Sequence, residues 1–225
     1  MKEENRYTIS KLWSEMSLSV SEIDQLNKNI TAIYYEQGEV IAKQGSDATH
    51  VFIIEKGIVT QYVEEENRKQ IIQILNDLNL IMCPQIYSED AYPFTIKALM
   101  PSIIYQVRKE LFFEVILENK MAIKFVYNWY NTIINCLLFF LKTNLLHNNA
   151  GKIALVLYYL DNFNSEKCNL LRNVNNSLIA QMVGISVDSA GKILTDFKKD
   201  NIIELNNDGL KIINRDLLSK ICRIG

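Results

Sequence analysis

Short apolar runs separated by turn residues dominate the first half of the chain. They are rich in β-branched and aromatic side chains and occupy residues 31–35, 40–42, 51–55, 58–63, 70–75, 94–99 and 103–107. Gly38, Gly45 and Gly57 fall between these runs and mark turns. Many short strands at regular spacing predict an antiparallel roll or barrel. A short helix is expected before the roll, beginning near Ser19 or Ser21.

A helical pattern replaces the strand pattern at about residue 109 and continues to about residue 146. Apolar side chains recur there at alternating steps of three and four residues, in a stripe that contains Ala122, Val126, Trp129, Ile133, Cys136 or Leu137, and Phe140. Two interpretations are open: a coiled-coil interface between two copies of the chain, and packing inside one copy. Because one long helix cannot hide such a stripe within a small roll domain, we expect a homodimer. Its expected interface residues are Ala122, Val126, Trp129, Ile133 and Phe140.

The last third of the chain predicts short helices followed by a hairpin. After a break at residues 148–151, helices are expected at 152–160, 177–183 and 187–199, a short strand at 168–171, and a last helix from Asp216. Residues 202–205 and 211–213 predict two strands around a turn. We therefore expect two domains: residues 1–147, the roll with its long helix, and residues 148–225, the helices and hairpin.

Residues 175–199 carry the features of a helix-turn-helix. Asn175 or Asn176 can cap the first helix. Gly184 can end that helix in the left-handed conformation, and Ser186 can cap the next one. This arrangement places a second helix in the major groove of DNA. The alternative is a generic pair of packed helices with a charged, solvated face, and the hairpin that follows favours the winged helix-turn-helix.

The exposed positions of these two helices supply the candidate DNA contacts. Small or short polar side chains near the start of the second helix can approach base edges, and lysines can neutralise phosphates. The base-reading candidates are Val187, Asp188, Ser189 and Lys192. The phosphate candidates are Asn176, Ser177, Ser186, Lys198 and Lys199.

Composition narrows the classes of function. The 225 residues include 24 Lys or Arg and 26 Asp or Glu, so DNA binding must depend on a locally basic surface rather than on the net charge of -2. No paired carboxylates, nucleophile with a base or glycine-rich phosphate loop stands out, which argues against an enzyme. The cysteines are too far apart for a zinc or iron–sulfur site: Cys83, Cys136, Cys168 and Cys222. With no secretory signal and no apolar segment long enough to span a bilayer, we expect a cytoplasmic protein without a metal or cofactor.

Two stretches resemble the Crp/Fnr family of bacterial transcription regulators. YYEQGEVIAKQGSDATHVFIIEKGIVTQY (residues 34–62) is similar to the start of the family's β-roll, and IAQMVGISVDSAGKILTDF (residues 179–197) is similar to its helix-turn-helix. The resemblance implies an α+β fold: an N-terminal antiparallel β-roll like the cyclic nucleotide-binding jelly roll, a long dimerisation helix and a C-terminal winged helix-turn-helix. It also implies a homodimer on a palindromic operator of double-stranded DNA, an effector in the roll, and RNA polymerase as a candidate partner.

The resemblance fails at the positions that hold a nucleotide. Family members that bind one carry a Gly-Glu pair followed by Arg and Ser or Thr, whereas residues 78–99 here contain no arginine. A phosphate would lose a charge-assisted contact. The expected pocket is apolar and aromatic, lined by Met82, Cys83, Ile86, Tyr87, Tyr92 and Phe94. This suits a small organic or aromatic effector, as in the halophenol-sensing branch. The alternatives are a constitutively active regulator with a filled pocket and a ligand-binding module that no longer recognises DNA.

Overall fold

A computed structural model describes residues 7–66, 68–81, 90–162, 170–206 and 209–224. The chain divides into two compact units, Met1–Leu137 and Leu138–Gly225. The division falls inside a helix, ten residues before the predicted boundary at 147/148. The physical reason is aromatic packing at the end of that helix, where Phe139 and Phe140 contact Tyr159 of the next helix.

The first unit is an antiparallel β-roll with helices at both ends of its sequence. Its elements are α1 (Tyr7–Glu15), α2 (Val20–Lys28), β1 (Ile30–Tyr35), β2 (Val40–Ala42), β3 (His50–Lys56), β4 (Val59–Glu65), β5 (Arg68–Leu75), β6 (Leu80–Ile81), β7 (Thr95–Ala98), β8 (Ser102–Arg108), α3 (Lys109–Glu118) and α4 (Lys120–Leu146). Two four-stranded sheets form, in the orders β1-β8-β3-β6 and β2-β7-β4-β5. All described strand pairs are antiparallel, as the sequence pattern predicts.

Strand β3 contributes side chains to two core clusters, one on each face of its sheet. Successive side chains of a strand point to opposite sides of the sheet, so Val51 and Ile53 join one core cluster and Phe52 and Ile54 join another. The first, which we call the helix-side cluster, includes residues of α1, α2, α3 and α4. The second, which we call the inner cluster, packs residues of the two sheets together, as with Ile96 of β7. The roll is therefore a packed core rather than an open shell.

The predicted single helix from residue 109 to residue 146 is wrong in one respect, because the structure breaks it at Asn119. The backbone there is extended (φ −108°, ψ 108°). The Asn119 side-chain oxygen accepts hydrogen bonds from the backbone N–H groups of Met121 and Ala122, at 3.0 and 3.1 Å. Asparagine competes for backbone donors in this way at helix starts. Two helices, α3 and α4, therefore replace the predicted one.

The second unit is a helical domain with one hairpin. Beyond the end of α4 its elements are α5 (Asn149–Asn162), a 3-10 turn (Leu170–Asn173), α6 (Asn176–Val183), α7 (Val187–Lys199), β9 (Ile203–Asn206), β10 (Gly209–Ile212) and α8 (Arg215–Ile224). The predicted strand at 168–171 is incorrect where the structure describes it, because Leu170 and Leu171 lie in the 3-10 turn with both side chains buried. The predicted hairpin is confirmed: β9 and β10 pair antiparallel, with Ile203 opposite Ile212.

No helix in the described part of the chain is both long enough and apolar enough to cross a bilayer.

Candidate nucleic-acid interface

Helices α6 and α7 form the predicted helix-turn-helix. The Asn175 side chain accepts a hydrogen bond from the Leu178 N–H at 2.8 Å and so caps α6. Gly184 ends that helix with φ 76° and ψ 35°, and its N–H donates to the Ala180 carbonyl at 2.8 Å. Ser186 caps α7 by accepting from the Ser189 N–H at 3.2 Å. Asn175, Gly184 and Ser186 therefore cap these helices, as the sequence predicts.

Gly191, in the middle of α7, leaves room for the Asn176 side chain at the start of α6. A Cβ atom at this position would lie 2.9 Å from the side-chain nitrogen of Asn176, which is closer than real Cβ contacts. Glycine in a helix interior costs about 1 kcal/mol relative to alanine. Here it leaves room for the first residue of α6 beside the exposed side of α7. In the sequence, only a glycine inside an otherwise regular helical pattern indicates this contact.

The exposed side of α7 and the start of α6 form a shallow concave surface, which we call the reading surface. It is lined by Asn176, Val187, Asp188, Gly191, Lys192, Thr195, Asp196 and Lys199. Steps of three and four residues along α7 place Asp188, Lys192, Thr195 and Lys199 along one stripe of the helix. Five of the nine predicted DNA contacts therefore lie together here, whereas Thr195 and Asp196 were not predicted.

The other four predicted DNA contacts, Ser177, Ser186, Ser189 and Lys198, do not line the reading surface. The Ser186 hydroxyl donates to the Ser189 hydroxyl at 2.8 Å, so both serve the cap of α7. The Ser177 hydroxyl accepts from the Gln181 side chain at 3.0 Å. The Lys198 ammonium donates to the Leu205 carbonyl of β9 at 3.2 Å, which ties α7 to the hairpin.

Charges on α7 are balanced. The helix and its C-cap residue carry three lysines and three aspartates: Lys192, Lys198, Lys199, Asp188, Asp196 and Asp200. Lys199 pairs with Asp196 at 3.3 Å, and Lys198 is bound to the hairpin. Within the described ranges, Lys192 and Asp188 make no ion pair and no side-chain hydrogen bond. Both side chains are therefore available to an outside ligand.

Most of the predicted interface residues of α4 pack against the interior of one chain. Ala122 is fully buried in the helix-side cluster, and Val126 and Trp129 pack against that cluster. Phe140 is 6% exposed and lies 5.4 Å, ring centre to ring centre, from Tyr159 in the second unit. These four side chains pack inside one chain, which argues against their use in an interface between copies, and Ile133 is half-buried on the same side.

The exposed side of α4 carries a second apolar stripe, one position later in the helical repeat. We call it the exposed stripe, and its members are between 41% and 72% exposed: Ile123, Tyr127, Ile134, Leu137, Leu141 and Leu145. Their spacing by three, four or seven residues is that of a coiled-coil seam. Periodicity alone did not separate the two stripes, because both repeat at the same interval.

The predicted effector residues fall partly outside the described residues, since Met82, Cys83, Ile86 and Tyr87 belong to 82–89. Tyr92 is 4% exposed, packs against Phe52 of the inner cluster, and has its hydroxyl fully engaged. That hydroxyl donates to the His50 carbonyl at 2.9 Å and accepts from the His50 N–H at 3.0 Å. Burial raises the pKa of the Tyr92 hydroxyl. Phe94 is half-buried against the same cluster.

Comparison with known proteins gives a domain match and a shared fold. Residues 32–119 match the family model of the cyclic nucleotide-binding domain. A comparison with curated protein sequences gives no match. A Crp/Fnr family transcriptional regulator from Eubacterium rectale superposes with a TM-score of 0.76 at 16% identity, covering 94% of this chain and 97% of that one. FixK2 from Bradyrhizobium japonicum gives a TM-score of 0.75 at 13% identity over 85% and 96% of the two chains. A mutant of CooA from Carboxydothermus hydrogenoformans gives 0.71 at 18% identity over 92% and 99%.

Proposed function

We propose that this chain, which has the fold of the Crp/Fnr regulators and a cyclic nucleotide-binding domain, regulates transcription as a homodimer on a palindromic DNA operator. The observation that carries the proposal is the reading surface. It joins a capped helix-turn-helix to two uncommitted charged side chains, Asp188 and Lys192, beside a β hairpin.

The proposed docking puts the start of α7 in the major groove. Lys192 lies one turn beyond Asp188, so both side chains face the base edges. Lysine donates to guanine O6 and N7, and aspartate accepts from the cytosine amino group. Asn176 and Lys199, at the two ends of the reading surface, suit phosphate contacts that set the position of the helix.

Charge distribution supports DNA binding by the second unit. Leu138–Gly225 carries eleven Lys or Arg and eight Asp or Glu, whereas Met1–Leu137 carries thirteen and eighteen. The net charges are +3 and −5. The first unit is therefore repelled by the phosphate backbone and the second is attracted to it, although the whole chain is acidic.

The exposed stripe of α4 supports the dimer. Two copies of α4 can bury these side chains against each other as a coiled coil, and an isolated chain leaves them in water. The polar side of the helix, with Lys124, Asn128 and Asn131 exposed, would remain solvated. The interface is therefore expected through the exposed stripe rather than through Ala122, Val126, Trp129 and Phe140.

The described part of the roll offers no buried cation to the phosphate of a cyclic nucleotide. No lysine or arginine is buried among the described residues, and residues 82–89 contain neither. A desolvated phosphodiester anion without a cationic partner is costly. We therefore propose a non-nucleotide organic effector as the regulator of the roll. The fully engaged Tyr92 hydroxyl favours a second candidate, a regulator whose roll is filled by its own side chains and needs no effector.

Selection from random duplex DNA tests the proposal. The purified chain, with and without a metabolite extract, should enrich one palindromic sequence. Binding to this sequence should weaken as the salt concentration rises, because lysines that contact phosphates release counterions from the DNA. Enrichment only with the extract would identify an effector-controlled regulator, and equal enrichment without it would identify the filled-roll regulator. Failure to retain any duplex at low salt would favour a module without DNA recognition.

A further inference from the structure

We infer that the effector of the roll is an uncharged aromatic amide or lactam, held by the side chains of Gln61 and Gln73. The inference rests on the proposed function, because it names the class of ligand that the roll would bind. Gln61 lies in β4 and Gln73 in β5, and the two residues are directly opposite each other in the β4–β5 ladder. They are only 4% and 8% exposed. Two buried glutamines therefore lie side by side in the roll.

Both glutamine side chains face the interior of the roll, between its two sheets. Gln61 follows Val59 by two residues in β4, and Val59 belongs to the inner cluster. Gln73 precedes Leu75 of the same cluster by two residues in β5, and the pairing is regular over these residues. Alternate residues of a strand share a face of the sheet. On the other side of β4, Gln61 is paired with Ile96, which also belongs to the inner cluster.

The two side-chain amides have no partner in the part of the chain that the structure describes. Neither of them makes a hydrogen bond there. Their atoms are also not among the fully enclosed polar atoms without a partner, so they border space that a small molecule can enter. An amide that is buried without a hydrogen bond costs free energy, and native proteins rarely leave one unpaired. A bound molecule that pairs with both glutamines would remove this cost.

Primary amides select an uncharged partner with a matching polar edge. Each glutamine offers one carbonyl acceptor and one NH₂ donor group. A carboxamide or lactam can accept from the NH₂ group of one glutamine and donate to the carbonyl of the other. A carboxylate would lose its hydration without an ionic partner, because no lysine or arginine is buried among the described residues. Phe94, half-buried against the inner cluster, offers an aromatic surface to a planar ring.

Thermal unfolding of the full chain with a matched panel of ligands tests the inference. Benzamide at millimolar concentration should raise the Tm of the wild type by about 2 °C or more, because it binds the folded state. Benzoate, toluene and phenol keep the ring and change the polar group, and they should leave the Tm unchanged.

Methionine variants locate the binding site, because methionine keeps an unbranched side chain of similar size and removes the amide. The double variant Gln61→Met with Gln73→Met should lose the response to benzamide. Without ligand it should unfold at the same or a higher temperature than the wild type, since it no longer buries two unpaired amides. Gln25→Met, the same change at an exposed position of α2, should keep the full response.

The outcomes separate this inference from the proposed function. If benzamide leaves the wild-type Tm unchanged, or if benzoate, toluene or phenol raises it equally, the amide class is overturned. The same holds if the double variant keeps the response or unfolds at a lower temperature than the wild type without ligand. These results leave the regulator proposal standing, because selection of an operator tests DNA binding separately. If no operator is selected although benzamide stabilises the wild type through these glutamines, the regulator proposal fails and the ligand assignment stands.

Discussion

The side-chain amide of Asn119 lies 3.2 Å from both carboxylate oxygens of Glu22, 97 residues earlier in the chain. The same amide donates to the Ser17 carbonyl at 3.2 Å, while its oxygen caps α4. One side chain thus joins the turn between the N-terminal helices to the start of the helix that carries the exposed stripe. The position of α4 on the roll depends on this junction.

Removing the junction should destabilise the first unit. Asn119→Ala deletes the cap of α4 and the contacts with Ser17 and Glu22, and we expect a loss of about 1–2 kcal/mol in the free energy of unfolding. Urea denaturation monitored by tryptophan fluorescence measures this loss of stability, since Trp13 is buried in the helix-side cluster. Asn131→Ala, the same change at an exposed position of α4, should alter stability by no more than about 0.5 kcal/mol. Equal effects of the two substitutions would contradict the role of the junction.

Acid should weaken the same junction. Hydrogen bonds from the Ser19 backbone and side chain hold the pKa of Glu22 below its ordinary value of 4.5. A carboxyl whose pKa is lowered by folding stabilises the folded state above its unfolded pKa, and this contribution is lost as pH falls through the folded pKa. The difference in stability between the wild type and Glu22→Gln should therefore be constant near neutral pH and shrink below about pH 4.5. Urea titrations at several pH values measure it, and a difference that does not change with pH would refute the expectation.

The dimer should depend on the exposed stripe. Ile134→Glu places a charge in the proposed seam, where burial without a partner is costly, and we expect a monomer at micromolar concentration. Asn131→Glu, on the polar side of α4, should remain a dimer. Light scattering gives the mass, and circular dichroism shows that both variants keep their helices. A wild-type monomer, or an unchanged dimer in Ile134→Glu, would exclude this interface.

Lys192 and Lys199 should affect DNA binding differently. Lys192→Ala should cost about 1–3 kcal/mol on the selected operator and much less on scrambled DNA, because Lys192 is proposed to contact a base. Lys199→Ala should weaken both alike and lower the salt slope by about one unit. Salt titrations of each variant on the two duplexes make the comparison. If Lys192→Ala weakens both duplexes equally, Lys192 contacts phosphate and the proposed docking is wrong.

Cyclic AMP and cyclic GMP should not bind in the micromolar range. The expectation follows from the lack of a buried cation in the described roll and of any arginine in residues 78–99. Calorimetry of the full chain with each nucleotide measures the affinity directly. Micromolar binding of either one would contradict the expectation and favour a nucleotide as the effector.

Periodic features of the molecule were predictable from sequence. The strands of the roll, the caps of α6 and α7, and the β9–β10 hairpin follow from local patterns and turn residues that act over a few positions. The break at Asn119 was not predictable, because it depends on Glu22, a partner in α2 that is distant in sequence. A regular helical pattern continues through that position.

The candidate site was predictable to a similar extent. Helical spacing located Asp188 and Lys192 on one side of α7, since that depends only on the repeat of the helix. The role of Lys198 depended on the carbonyl of Leu205 across a tertiary contact. In α4, two apolar stripes share one period, so only the position of the roll core decided which of them is buried.

The balanced charge of α7 has a consequence for how this protein would search a genome. A helix that carries three aspartates beside its three lysines displaces fewer counterions from a random duplex than a purely basic helix would. Non-specific residence is then short, and the time spent sliding on the wrong sequences falls. Occupancy of the operator would still fall as the ionic strength of the cell rises, but less steeply than for a regulator whose reading helix carries lysines alone, because fewer counterions are released.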